Sequence, residues 1–160
     1  MDALLTAIVI WLAANYELPA VFNHPRIEQV PSVEMTTLRY KGLLTAHRRE
    51  ISVIPTQEAS YKKMRDLVAI YNDSTNTIYL SDKWAERTPA ELSVLVHEMV
   101  HHLQNKAGIV YECPAEREKL AYEAQDKWLG LFGRTLESEF EINGLALLIS
   151  TSCAMGMGLH

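Results

Sequence analysis

ELSVLVHEMVHHLQNKAG, residues 91–108, sets His97, Glu98, His101 and His102 inside an otherwise apolar run. Leu92, Leu95, Val96, Met99 and Leu103 recur at helical spacing, which predicts an amphipathic α-helix. The start is marked by Thr88 as N-cap, Pro89 at the first helical position and Glu91 as the return half of a capping box. Gly108 marks the end. In such a helix, residues four apart lie about 40° apart around the axis and roughly 6 Å along it, so His97 and His101 can aim at one point. Neutral imidazole nitrogens are good zinc ligands. Glu98, offset by about 100°, flanks that point and is suited to take a proton from a metal-bound water. The pattern is HExxH, here His97-Glu98-Met99-Val100-His101. His102 points about 140° away from His97 and is assigned a role other than ligation. The rival reading makes His97 and His101 solvated or core histidines of an ordinary helix.

A catalytic zinc takes three protein ligands and keeps a position for water. No third histidine follows at the spacing of HExxHxxGxxH, so an acidic residue of the next helix is expected. Glu112, Glu116, Glu118 and Glu123 are the candidates. On a helix starting near Pro114, one face carries Glu118, Ala121, Tyr122, Gln125, Leu129 and Phe132. The other carries Glu116, Lys119, Glu123, Asp126, Lys127 and Gly130. Only Glu118 is a carboxylate on the apolar, inward face, where a charge is costly unless paired or bound to metal. Glu118 is therefore the chosen ligand; the alternative pairs it with a basic side chain at the rim of the core.

Outward from these helices, 160 residues fit a single domain, 1–160, with a core of useful size. The chain is 48% apolar and 22% charged, as in an ordinary globular protein. A formal net charge of −5 leaves no basic stripe for nucleic acid. Cys113 and Cys153 are either a disulfide, implying an oxidising compartment, or buried thiols, and their spacing does not decide. Residues 1–20 read as a helix with Leu4, Leu5, Ile8, Trp11 and Leu12 on one side, stopped at Leu18-Pro19. Their apolar stretch is too short for a membrane span and lacks the basic flank of a signal segment, although a cleaved, signal-like segment over 1–20 or an anchoring role for residues 3–16 stays open.

PRIEQVP (25–31) reads as a short strand, and SVEMTTLRYKG (32–42) as a short helix between Ser32 and Gly42. Residues 43–65 are hard to read: EISVIP suggests a strand, HRRE and YKKMR a solvated, partly basic surface. Leu67–Tyr71 and Thr77–Leu80 form a hairpin around a loop of about five residues. After the histidine helix come one from Pro114 to near Gly133 and one from Thr135 through Ser150. The fold class is α+β, with helices on one side of a small sheet.

With HEMVH and the downstream Glu118-Lys119-Leu120-Ala121-Tyr122, the chain resembles gluzincin-type, minimal-core zincin metallopeptidases, in which a second helix carries E-x-x-A followed by Asp or Asn. It is also similar to a bacterial HExxH family with ELSVLVHEMVHHLQ, a cysteine, then AY..Q..WL, matched here through Trp128 and Leu129. The likeness covers residues 65–132. It implies a zincin-like fold, with a small sheet and hairpin against the active-site helix, and a bacterial origin. It also implies an extended peptide or protein substrate pairing with an edge strand at Thr77–Leu80. Tyr122 stands where relatives carry the Asp or Asn that orients a metal-bound histidine, so it either accepts that hydrogen bond or stabilises the oxyanion.

The function expected is peptide-bond hydrolysis by a zinc-activated water. Zn2+ sits on His97, His101 and Glu118, and Glu98 is the general base. The alternatives are an inactive, zinc-stabilised binding or accessory subunit of a larger assembly, and a metal-free helical scaffold. Substrate, compartment and oligomeric state are not written in the sequence.

Overall fold

The computed structural model describes residues 1–35, 37–38 and 69–153. The readings for residues 43–65, for Gly42 as a helix stop and for Leu67 fall outside these residues. In chain order the elements are α1 (Asp2–Asn15), β1 (Arg26–Val30), β2 (Ala69–Asn72), β3 (Thr77–Ser81), α2 (Pro89–Ala107), α3 (Pro114–Gly130), α4 (Leu136–Phe140) and α5 (Gly144–Thr151). Residues 32–35 make a helical turn after β1. The protein is α+β, with a three-stranded sheet and several helices.

α2 is the centre of the molecule. Ser93 and every residue from Leu95 to Gln104 are buried, because α1, β2 and α3 pack around it. A helix covered on all sides must satisfy its polar groups internally, and that requirement shapes the site described below. Its start is built as the sequence predicts. The Thr88 side chain accepts from the Glu91 N–H, and Glu91 accepts from the Thr88 N–H. Glu91 also takes the N–H groups of Ala85 and Arg87, and the Trp84 indole donates to the Glu91 carbonyl at 2.9 Å. Gly108 closes the helix at φ 63°, where a Cβ would be strained.

Leu5, Ile8 and Leu12 of α1, Ile78 and Leu80 of β3, and Leu95, Met99 and Leu103 of α2 form the core with Ala121 and Ala124 of α3. Each fully buried Leu, Ile or Met contributes about 1.5–3 kcal/mol. The two alanines matter for position. Their small side chains let α3 lie close on α2, bringing the second turn of α3 up to the histidines. The outward face of α3 is as predicted: Glu116, Lys119, Glu123, Asp126, Lys127 and Gly130 are all exposed. No helix of the described residues is long and apolar enough to cross a membrane.

Two expectations are corrected. The strand order is β1-β3-β2, with β1 parallel and β2 antiparallel to β3. Thr77–Leu80 therefore lies in the central strand, its backbone engaged on both sides, and is no edge; among the described residues β2 is the edge that faces α2. A hairpin alone cannot reveal this, because the distant β1 decides which strand becomes internal. The single helix expected from Thr135 is two: Glu141 adopts φ 57°, and the Asn143 side chain accepts from the Ala146 N–H to start α5 afresh. The Asn-Gly pair that interrupts the apolar period is the local cause.

Candidate metal centre

His97 and His101 project from the middle of α2 toward α3, and Glu118 reaches back from the second turn of α3. The two Nε2 atoms lie 3.2 Å apart. One Glu118 oxygen lies 3.1 Å from His97 Nε2 and the other 3.3 Å from His101 Nε2. The ligand atoms of all three residues fall within 4.8 Å of one another, close enough to hold one metal ion. Both imidazoles are buried, and Glu118 is half-buried.

The donor set fits a cation. His97 Nδ1 is 3.0 Å from Gln125 Oε1, and His101 Nδ1 is 3.0 Å from Gln104 Oε1. A carboxamide oxygen only accepts, so each Nδ1 carries the proton and each Nε2 of a neutral ring offers a lone pair. Two such lone pairs and a carboxylate then converge, and only a proton or a cation can sit among them. A ring that gains a proton turns its Nε2 into a donor to Glu118; burial would raise the Glu118 carboxyl, but hydrogen bonds of that kind with His101 and His97 outweigh it and favour its charged form.

Glu98 lies on the neighbouring side of α2 and points at the sheet. Its Oε2 accepts the Tyr71 N–H of β2 at 2.7 Å. Burial pushes the Glu98 carboxyl above the usual glutamate range, His97 pulls against this, and Glu118 adds to the push. Tyr122 packs edge-on against the His97 ring, with centroids 4.7 Å apart. The hydrogen bond that orients His97 through Nδ1 is made by Gln125, one turn further along the same face of α3. His102 is held apart, as expected. Its Nε2 donates to the Asn23 carbonyl at 3.1 Å, and its Nδ1 lies 3.2 Å from the Tyr71 hydroxyl, tying the segment after α1 to the sheet.

Sequence reasoning singled out His97, Glu98, His101 and Glu118, of which the structure groups His97, His101 and Glu118, and passed over their supports. Gln104, Gln125, Ser93, Tyr71 and Arg117 only emerge in three dimensions. Arg117 makes a bidentate pair with Asp73 at 2.6 and 2.7 Å and donates to the His101 carbonyl at 3.2 Å, locking the hairpin turn to both helices. One signal was available: a glutamine on the inward face of each helix needs a partner. A family model covers residues 1–157, and its description is Domain of unknown function (DUF6647). The chain belongs to that family. The match spans every element from α1 to α5, so the DUF6647 region contains the whole candidate metal centre. No curated protein and no solved structure matches the chain.

The two cysteines are bonded. Cys113, the residue capping α3, joins Cys153 just after α5, with Cα atoms 5.8 Å apart.

Proposed function

We propose that this protein is a zinc-dependent peptidase of zincin-like architecture. The observation that supports this most is the meeting of His97, His101 and Glu118 beside a buried glutamate, Glu98, that touches a sheet edge. Two imidazoles and one carboxylate are the ligand set of many catalytic zinc sites, and three protein ligands leave room for water. When bound, zinc lowers the pKa of a coordinated water toward about 7 and polarises a carbonyl.

The protein's own part follows from position. Glu98 takes the proton of the attacking water on its carboxylate and delivers it to the departing amine. Its raised affinity for a proton suits a group that must hold one between those steps. The substrate is an extended peptide lying along β2 rather than β3, because among the described residues β2 is the edge at Glu98. The Cys113–Cys153 bridge favours an oxidising compartment. Purified protein should carry one zinc per chain. Glu98→Gln should keep that zinc and lose cleavage of an unstructured protein substrate; cleavage at the wild-type rate by Glu98→Gln would remove the assigned base.

A second reading, a zinc-stabilised accessory subunit, draws on α5. Leu145, Leu148 and Ile149 there are 67%, 64% and 70% exposed, an apolar face of the kind that meets a partner. In that case zinc binds, and no peptide is cut by either protein.

A further inference from the structure

The proton positions of the two ligand histidines are dictated from outside the metal site. Ser93 Oγ donates its single proton to the Ala90 carbonyl at 2.7 Å. It is left to accept, and it does so from Gln125 Nε2 at 3.2 Å. While the Ser93 hydroxyl stays on the Ala90 carbonyl, Gln125 turns its oxygen toward His97, whose Nδ1 donates. On the other side, the Arg117 carbonyl accepts from Gln104 Nε2 at 3.1 Å, which turns the Gln104 oxygen toward His101 Nδ1. Each relay ends on a backbone carbonyl, and a carbonyl has no hydrogen to give.

We infer that Gln125 and Gln104, with Ser93 behind the first, are positioning residues that set both histidines in the Nδ1–H form, so that the cation site is prepared before any ion arrives. The inference rests on the proposed cation site and adds the groups that prepare it. The Nδ1 hydrogen bonds are buried and short, so neither ring can turn over without breaking one. Because both orienting groups are neutral carboxamides, the three ligands bring a single negative charge, that of Glu118.

The two relays differ in one testable respect. In Gln125→Glu the carboxylate still accepts from His97 Nδ1, and the Ser93 hydroxyl can rotate to donate to its other oxygen. In Gln104→Glu the second carboxylate oxygen faces the Arg117 carbonyl, which cannot rotate into a donor. Two nearly isosteric changes should therefore have opposite outcomes, whereas a packing role would treat them alike.

The test uses the full chain with 15N-labelled histidine, metal-free, at about pH 9, above the ordinary imidazole range. Imidazole 15N–1H spectra then report the tautomer of His97 and His101, and competition with a chromophoric chelator reports zinc affinity. We expect Nδ1–H at both rings in the wild type. Zinc affinity should fall about 10–100-fold in Gln125→Leu and in Gln104→Leu. Gln125→Glu should bind at least as tightly as wild type, while Gln104→Glu should fall with its leucine counterpart. An Nε2–H form at either ring in the wild type, undiminished affinity in Gln125→Leu, or equal losses in the two glutamate variants would overturn the inference. Absence of zinc binding by a wild type showing both Nδ1–H rings would instead defeat the metal reading and leave the relays standing.

Discussion

The α2–α3 interface and the α5 helix invert the usual distribution of polarity in opposite ways. Between α2 and α3 the buried residues include two glutamines, a serine and two histidines. On α5, GLALLIST carries no charge and no buried residue. The first region tolerates polar burial because each group has a partner: a carbonyl, a hydroxyl or another side chain at hydrogen-bonding distance. The second keeps an apolar helix at the surface because a covalent bond tethers its end to the start of α3. One region is held by directional bonds and the other by a tether, and different perturbations should therefore separate them.

The largest effect should come from cutting the tether. A bridge spanning 40 residues contributes about 4 kcal/mol in the chain-entropy description. The Cys113→Ser, Cys153→Ser double variant should lose stability of that order in denaturant titration while His97 and His101 keep their hydrogen bonds. An unchanged midpoint would mean that α5 is held mainly by its packing on α3.

Next comes the metal. Zinc at 100 times its Kd should raise wild-type stability by about 2.7 kcal/mol. Glu118→Ala should lose that increment, whereas Glu123→Ala, on the exposed face, should retain it. Equal responses from the two variants would undo the choice of face on α3.

A smaller effect concerns Glu98. Its carboxyl is raised in the folded state above the ordinary 4.5, so the fold binds that proton more tightly than the unfolded chain does. The associated stability is present at acid pH and is lost as pH rises from about 4.5 through the raised folded value. In metal-free protein at neutral pH, Glu98→Gln should therefore melt higher, by about 2–4 °C for each kcal/mol regained. A lower melting point at pH 7 would show that the Tyr71 N–H depends on the charged form.

The smallest is on the surface of α5. Leu148→Ser should change the stability of the isolated protein by about 0.5 kcal/mol or less. A much larger loss would show that this face is covered in solution.

Much of the molecule is written locally. The capping box at Thr88 and Glu91, the left-handed Gly108 and the period of Leu95, Met99 and Leu103 delimit α2, because caps and period act within a few residues. HExxH is local for the same reason, since two histidines four apart share a face in any helix. Glu118 was legible one step further away, from the cost of turning a lone carboxylate inward. Three things required the assembled fold. Pairing of β1 with β3 made β3 internal, a matter of partners 51 positions apart, as Arg26 is from Thr77. The Cys113–Cys153 bond depended on α5 folding back along α3. The proton positions on His97 and His101 depended on carbonyls in two different helices, Ala90 and Arg117, that no short-range pattern connects. Residue type and spacing determine which groups can face one another; close packing of distant segments alone determines which hydrogen each of them must give.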